Sequence, residues 1–300
     1  MSFTSEVKKE IIEKRYSKIE NDVILSSYIR NTKEQSNERI EIITENIEVL
    51  SYILEILKLE YDITNTIEKL YQTNFKHDVY RLVIDENLEE INSNLIIDKD
   101  IVDDYFIDSD DLKAAYLKGA FLATGSINDP KKSRYHLEFL TENVKEANFI
   151  EKILNYFYLN AKSIKREKGY MVYVKEAEKI GDFLRLIGTN RAIMYYEDIR
   201  IYRDHINMTN RLNNCEQANV DKIISSANKQ IEDIDLILDK LGMDFLDEKL
   251  QEVVIYRKKY PDVSLEELSN IITIETSKPI TKSGLNHRLR KLKEIASKIK

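Results

Sequence analysis

The sequence contains little cysteine, glycine and proline, and each shortage excludes a class of protein. Cys215 is the single cysteine among 300 residues, so an internal disulfide framework and a CxxC zinc site are both excluded. The seven glycines and three prolines include no GxGxxG or GxxxxGK motif, which argues against a glycine-rich phosphate-binding enzyme. The four histidines are scattered and form no ligand pair at helical spacing. We therefore predict neither a metal site nor any other cofactor.

Long apolar runs are also missing. Stretches such as Ala120 to Ala123 are among the longest, whereas a helix that crosses a bilayer needs ~20 apolar residues. The opening residues lack the basic and apolar regions of a secretory signal. With 42% hydrophobic and 33% charged residues, the composition is that of a globular chain with room for two or three domains. We expect a cytoplasmic protein without a membrane partner.

Two segments repeat at a constant offset. Residues 40–59 and 137–156 share seven identical positions, which are Glu41, Thr44, Glu45, Asn46, Ile53, Ile56 and Leu57 with their partners. Chance similarity between two Ile-rich helices is the alternative. Each copy has the pattern of a strand, a Thr-x-Asn cap and an amphipathic helix. Both halves of residues 1–190 then follow the order helix, strand, strand, helix, strand, strand, helix, which predicts a pseudo-twofold α/β domain.

The segment Leu117 to Gly125 carries Gly119 and Gly125 on a helix of small and apolar residues. It resembles the LAGLIDADG helix of homing endonucleases, where two such helices form the seam of a pseudo-dimer. In that family an acidic residue before the last glycine holds a divalent metal, because a hard cation needs oxygen ligands. Thr124 occupies this position here, and Thr32 falls there when the first half is aligned. The resemblance therefore implies that nuclease activity is lost and that the chain is not an enzyme, without catalytic residues.

An active, metal-dependent endonuclease is the second hypothesis, and it needs carboxylates that the helix ends do not supply. Asp129 and Asp22 are the substitutes to test. Asp129 fits better as a turn residue before Pro130.

Several further stretches resemble the bacterial WhiA family: Ser2 to Lys8, Gly119 to Pro130, Asn210 to Asn219 and Lys282 to Leu292. The resemblance implies an α+β fold, in which a duplicated LAGLIDADG-like αββαββα pseudo-dimer domain precedes a long helical linker and an all-α helix-turn-helix domain. The implied boundaries are 1–100 for the first, degenerate half, 101–190 for the second half, 191–243 for the linker and 244–300 for the helix-turn-helix domain, whose motif lies at about 264–297. Family members are linked to transcription regulation, cell division and chromosome segregation, which implies a nucleoid-associated location.

The C-terminal residues support a helix-turn-helix by their own pattern. A helix fits Leu246 to Tyr260 and stops at Pro261. Ser264 and Glu267 form a capping box for a short helix that ends at Ile271 or Ile272. Thr281 or Ser283 caps the last helix, whose apolar stripe is Leu285, Leu289, Leu292, Ile295 and Ile299.

The opposite face of the last helix is polar. Asn286, His287 and Arg290 are predicted to be exposed, with Arg288 nearer the apolar edge. Arginine suits the acceptors of guanine and asparagine suits the edge of adenine in the major groove. The predicted DNA-binding residues are Ser264, Glu267, Thr281, Lys282, Ser283, Asn286, His287, Arg288, Arg290 and Lys291.

Charge is segregated along the chain. Residues 278–300 carry eight basic side chains and one acid, a balance of +7. Because the whole chain has a net charge of −7, the remaining residues carry −14. A basic end on an acidic body favours local binding to double-stranded DNA. A solvated helix end that complements the helix dipole is the alternative for the charge. A protein-interaction scaffold whose basic domain binds an acidic partner is the alternative function.

The acidic body leaves a role for regulatory protein partners, and the internal pseudo-twofold is compatible with a monomer. Basic residues around the strands of the second half are candidate phosphate contacts: Lys131, Lys132, Arg134, Lys162, Lys165, Arg166 and Lys168.

Between the domains, Cys215 lies on an apolar stripe with Leu212, Ala227 and Ile234, so we predict that it is buried and inert. His77 and His136 are predicted to be structural.

Overall fold

A computed structural model gives the fold. It describes residues 2–32, 35–36, 39–70, 78–95, 97, 107–132 and 134–299. His77 and the expected boundary between residues 100 and 101 lie outside these ranges. The chain divides into two compact units, Met1–Arg203 and Asp204–Lys300.

The first half of the N-terminal unit begins with two helices and continues through a four-stranded antiparallel sheet. Its strands follow the order β1-β2-β4-β3. Helices α3 and α4 come after the second and fourth strands. The elements are α1 (Phe3–Ile12), α2 (Lys18–Asn31), β1 (Gln35–Ser36), β2 (Arg39–Thr44), α3 (Ile47–Tyr61), β3 (Ile67–Leu70), β4 (Val79–Ile84) and α4 (Leu88–Leu95).

The second half repeats this topology. Its antiparallel sheet has the order β5-β6-β8-β7. The elements are α5 (Asp110–Thr124), β5 (Gly125–Ile127), β6 (Leu137–Thr141), α6 (Val144–Tyr156), β7 (Lys162–Arg166), β8 (Gly169–Val174) and α7 (Ala177–Leu186). Both halves therefore have the predicted order of helices and strands, and α1 is an addition before the first.

The repeated Thr-x-Asn sequence caps the start of a helix in both halves. The side chain of Asn46 accepts the N–H of Val49 at 3.1 Å, and the side chain of Asn143 accepts the N–H of Lys145 at 2.9 Å. The preceding threonines, Thr44 and Thr141, accept the asparagine N–H groups at 3.2 and 3.3 Å. These bonds satisfy donors that a helix start leaves unpaired. The duplication thus extends to individual hydrogen bonds.

Helices α2 and α5 form the seam between the halves. A Cβ atom added to Gly119 would lie 2.3 Å from the carbonyl oxygen of Ile24 and 2.8 Å from Cβ of Ser27. No side chain larger than hydrogen fits this gap, so the two backbones approach as the LAGLIDADG resemblance implied. The short side chain of Ser27, which is fully buried, serves the same purpose on α2.

A buried polar cluster ties the halves together beside this seam. Nε of Arg30 lies 3.1 Å from Oε2 of Glu146, and both side chains are more than nine-tenths buried. The Asn31 side chain donates to the other carboxylate oxygen at 3.2 Å, and the Tyr116 hydroxyl donates to that oxygen too. Breaking a buried ion pair by removing one partner costs ~3–5 kcal/mol, so Glu146 holds three residues of two helices in place.

Helix α8 (Asn190–Leu241) is continuous across the boundary between the units. Every side chain from 204 to 222 is exposed, including Cys215. The prediction that Cys215 is buried was wrong, and Leu212 on the same stripe is 56% exposed. Along this part of the helix the stripe faces solvent, and burial begins only at Ala227 and continues at Ile234. No helix among the described residues is long and apolar enough to span a membrane.

The C-terminal unit closes with a 3-10 turn (Met243–Phe245) and the helices α9 (Glu248–Lys259), α10 (Leu265–Thr276) and α11 (Lys282–Ile299). Helix α10 ends at Thr276 and so extends beyond the predicted end at Ile271 or Ile272. The residue that ends it is Ser277, which adopts a left-handed conformation with φ of 58°. The core of this unit contains Ile234, Ile237, Leu246, Leu250, Val253, Val254, Leu268, Ile272, Leu285, Leu289, Leu292 and Ala296.

Candidate nucleic-acid interface

Helix α11 is fixed at its start by a threonine cap and along its length by buried leucines. The hydroxyl of Thr281 accepts the N–H of Gly284 at 3.1 Å, so Thr281 is the capping residue and Ser283 lies inside the first turn. Leu285, Leu289 and Leu292 are at most 5% exposed, as the predicted stripe requires. The polar face of α11 therefore has a defined orientation.

The N-terminal half of that face presents three side chains able to contact bases. His287 and Arg290 are exposed, and Asn286 is half-buried. Within the described part of the chain, Arg290 and His287 have no ion-pair partner. A guanidinium without an internal acceptor keeps all five donors for a ligand.

Three other predicted basic residues are engaged in ion pairs. Lys282 lies 3.2 Å from Glu266, and Lys291 lies 3.2 Å from Asp247. The four side chains of these pairs are more than half exposed, and such pairs contribute only ~0–1 kcal/mol. Both lysines can therefore exchange their partners for phosphates.

Arg288 differs from the two lysines. Its Nη1 lies 3.0 Å from Glu252 of α9, and the two side chains are 25% and 20% exposed. The same nitrogen lies 3.4 Å from the carbonyl oxygen of Lys249. Arg288 thus connects α11 to α9, and its structural contacts make it a poorer phosphate ligand than Arg290.

Ser264 and Glu267 form the predicted capping box. The Ser264 hydroxyl accepts the N–H of Glu267 at 3.2 Å, and the Glu267 carboxylate accepts the N–H of Ser264 at 2.9 Å. The hydrogen bonds that the N–H and the hydroxyl of Ser264 donate to the Glu267 carboxylate lower the pKa of that carboxyl below its ordinary value. Both side chains are used to fix the start of α10, so their predicted part in DNA binding is to position that helix.

Helix α8 supplies a second wall that the sequence analysis missed. Asn286, Arg290 and Lys293 line a groove with residues of α8 that include Lys229 and Asp233. Lys229 adds a cation on the same side as Arg290. Ser226, Lys229 and Asp233 are spaced so that they lie on one face of α8. This spacing is the feature of the sequence from which the second side of the groove could have been predicted.

The basic residues of the second half do not form one patch. Strand β7 alternates, so Lys162 and Arg166 lie on one face of the sheet and Lys165 lies on the other. Lys162 and Arg166 share their face with Tyr173, which pairs with Lys162. The remaining four lie in connecting turns and loops and are exposed: Lys131, Lys132, Arg134 and Lys168.

The first sheet offers less free positive charge. Arg81 of β4 lies 3.4 Å from Glu41 and 2.6 Å from Glu68 on its neighbouring strands. Its charge is therefore already neutralised, and the second sheet is the better candidate for a polyanion.

Within the described residues, the ends of the seam helices present threonine hydroxyls rather than carboxylates. The hydroxyls of Thr32 and Thr124 donate back to carbonyl oxygens of their own helices, at 3.0 Å to Tyr28 and 3.5 Å to Ala120. Among the described residues, no group of three or more His, Cys, Asp and Glu side chains could hold a metal ion. The carboxylate of Asp129 accepts the N–H of Lys131 at 2.9 Å, which confirms its place in a turn.

Comparison with known proteins identifies both parts of the chain. Residues 113–206 match the model of the WhiA LAGLIDADG-like domain, and residues 209–296 match the model of the WhiA C-terminal HTH domain. "Probable cell division protein WhiA" of Bacillus cereus strain B4264 is 41% identical over 313 residues, which cover 100% of this chain and 98% of that protein. The protein of that name from Ligilactobacillus salivarius is 40% identical over the same coverage.

Solved structures show the same fold. Full-length WhiA from Thermotoga maritima superposes with a TM-score of 0.60 at 23% identity, covering 100% of this chain and 99% of that one. The N-terminal LAGLIDADG domain of WhiA superposes with a TM-score of 0.52 at 21% identity, covering 62% of this chain and 90% of that one.

Proposed function

The chain belongs to the WhiA family, and we propose on that premise that it is a DNA-binding regulator of cell division that reads double-stranded DNA through α11. Relatives carry the name of probable cell division proteins, and the C-terminal unit matches the helix-turn-helix model of the family. Control of transcription from promoter DNA, a part in chromosome segregation and a nucleoid-associated, cytoplasmic location belong to the same proposal.

One observation carries the proposal. The start of α11 presents His287 and Arg290, which are exposed and have no partner among the described residues, on a helix whose other face is fixed in the core. Arginine can donate two hydrogen bonds to guanine, and asparagine can make two with adenine. Asn286 and Arg290 are therefore proposed as base contacts.

The other residues have supporting roles. Lys282, Lys291, Thr281 and Ser283 are proposed to contact phosphates, which fix the register of a protein on DNA without reading sequence. His287 is a base or phosphate contact. The predicted boundaries at 100/101, 190/191 and 243/244 stay part of this proposal.

The LAGLIDADG-like unit is proposed to be catalytically inactive. Thr32 and Thr124 offer hydroxyls where the metal-binding acid of active relatives is expected, and both hydroxyls bond to their own helices. Its role is that of a second contact with DNA or a surface for regulatory proteins, and a monomer suffices for either.

The test measures the affinity of the full chain for genomic DNA fragments by fluorescence anisotropy. Arg290→Ala should cost ~1–3 kcal/mol on a preferred fragment and relax its sequence preference. Lys298→Ala is the matched control, since it removes an exposed cation from the last turn of the same helix. It should leave sequence preference unchanged.

The salt dependence separates the two kinds of contact. Affinity should fall steeply from about 50 to about 200 mM NaCl, and Lys291→Ala should reduce the slope by ~1. If Arg290→Ala binds every fragment as the unchanged protein does, α11 does not read DNA. The alternative scaffold, in which the basic domain binds an acidic protein, then becomes the better account.

A further inference from the structure

A cavity of about 430 Å³ lies within the C-terminal unit, beside the first turn of α10. Helix α8 supplies one wall with Ile223 and Ala227, and the segment before α10 supplies Val263. Pockets that bind small ligands occupy ~300–1,000 Å³ and are lined by apolar side chains with a few polar groups. The cavity falls within this range by both size and lining.

A buried arginine without a counter-ion lies against this cavity. Arg257 of α9 is 1% exposed. Its Nη1 donates to the carbonyl oxygens of Val263 at 2.9 Å and Tyr260 at 3.4 Å, while its Nε has no acceptor among the residues that the structure describes. Within the described ranges no carboxylate pairs with it. A buried cation of this kind is costly unless an anion compensates it.

The rest of the lining is also cationic. Lys222 of α8 is exposed and has no partner among the residues that the structure describes. Lys282 pairs with Glu266 at 3.2 Å. Three cations and one acid line the cavity, which leaves a balance of +2. The amide oxygen of Gln230, also in the lining, is buried, and no described residue donates to it.

We propose that this cavity binds a small organic anion with an apolar body, such as an alkyl or aromatic carboxylate. The apolar walls take the body, and the anionic group lies where the charges of Arg257, Lys222 and Lys282 converge. Arg257 acts through the cavity wall, because a charge in a low-dielectric interior is weakly screened. This site is separate from the base-reading face of α11.

A DNA phosphate is the other source of an oxyanion, because Ser264 and Lys282 also belong to the predicted DNA surface. It would use the cations and leave the apolar walls of Ile223, Ala227 and Val263 unfilled. A small anion with an apolar body uses both. Three probes distinguish the sources: octanoate carries charge and apolar body, octanol only the body, and inorganic phosphate only the charge.

The experiment is calorimetric titration of the full chain with each probe. Octanoate should bind at one site. Octanol should bind about tenfold or more weakly, because it lacks the charged group, whose hydrogen bonds and attraction to the cations are worth about a factor of ten or more in affinity. Phosphate should bind more weakly still, because it lacks the apolar body. Equal binding of octanol and octanoate would overturn the part given to the cations. Equal binding of phosphate and octanoate would identify a phosphate site, and absence of octanoate binding would remove the site.

Variants locate the bound molecule. Lys222→Gln should weaken octanoate binding severalfold, whereas Lys240→Gln, the matched control at an exposed position of the same helix, should not. Ala227→Met fills the cavity from its wall and should abolish binding. Octanoate binding that survives both Lys222→Gln and Ala227→Met places the ligand elsewhere and refutes the proposal. Neither variant removes Arg257, whose loss from the core could prevent folding.

Discussion

The substitution Gly119→Ala should destabilise the N-terminal unit, because the seam between α2 and α5 has no room for a methyl group. The added Cβ would lie 2.3 Å from the backbone oxygen of Ile24 and 2.8 Å from Cβ of Ser27. Neither atom can rotate away, since one belongs to the backbone and the other is the first atom of its side chain. The helices must therefore separate along a fully buried interface.

Two opposing contributions set the magnitude. Overpacking of a buried contact costs ~1–3 kcal/mol, while replacing glycine by alanine inside a helix gains ~0.5–1 kcal/mol. Because neither clashing atom can rotate away, the upper part of the overpacking range applies, ~2–3 kcal/mol. After a helical gain of ~1 kcal/mol is subtracted, we expect the free energy of unfolding to fall by about 1–2 kcal/mol. For a unit of about 200 residues this lowers the melting temperature by roughly 2–8 °C.

The matched control is Gly181→Ala in α7. Its Cβ would meet the carboxylate oxygen of Glu197 at 2.5 Å, and this flexible side-chain tip can move aside. The control should leave the free energy of unfolding unchanged or raise it by up to about 1 kcal/mol, which is the gain of alanine over glycine inside a helix. Thermal and urea unfolding, followed by circular dichroism, measures both variants. If Gly119→Ala is as stable as the unchanged protein, the close seam described above is incorrect.

Three further predictions follow from single contacts. Ser264→Ala should reduce the stability of the C-terminal unit by ~1 kcal/mol, measured by urea unfolding, because the Glu267 N–H loses its acceptor. Burial lowers the pKa of Lys8 from 10.5 to about 8, so the folded state binds fewer protons than the unfolded state above pH 8. The stability of the protein relative to a Lys8→Met variant should accordingly rise from pH 8 towards pH 10, and a flat difference would contradict the burial of a charged Lys8. Cys215 is exposed, so a thiol reagent should modify it in the native protein about as fast as in urea; strong protection would show that something covers α8.

The duplicated fold could be predicted because its signals are local. The Thr-x-Asn sequence at Thr44 and Thr141 specifies a helix start through bonds that span two or three residues. Gly119 marks a close contact since its missing side chain is visible in the sequence. One partner in that contact, Ser27, lies 92 residues away along the chain, and the sequence analysis did not identify it.

The exposure of Cys215 could not be predicted. Periodicity shows that Leu212, Cys215 and Ala227 share a side of α8, but not what that side faces. The same stripe faces solvent at Leu212 and enters the core of the C-terminal unit at Ala227. Burial here depends on tertiary packing that the pattern does not contain.

The exposed face of α11 in the candidate interface could be predicted from the sequence, but the ion pairs of its basic side chains could not. The helical wheel of α11 correctly gave exposed positions to His287 and Arg290 and an edge position to Arg288, but its exposed position for Asn286 was wrong, because that side chain is half-buried. The carboxylates that hold Arg288 and Lys291, which belong to Glu252 and Asp247, come from a different helix or its cap. Only the folded unit brings them within 3.2 Å, so sequence could not separate the engaged cations from the available ones.

The most direct test of the central claim is hydrogen exchange of the full chain, free and bound to a preferred duplex. The account predicts that binding slows exchange in residues 281–291 and at the start of α10, and leaves the end of α11 around Lys298 unchanged. Protection confined to the two sheets of the N-terminal unit, with none at the start of α11, would contradict the claim that this helix reads DNA.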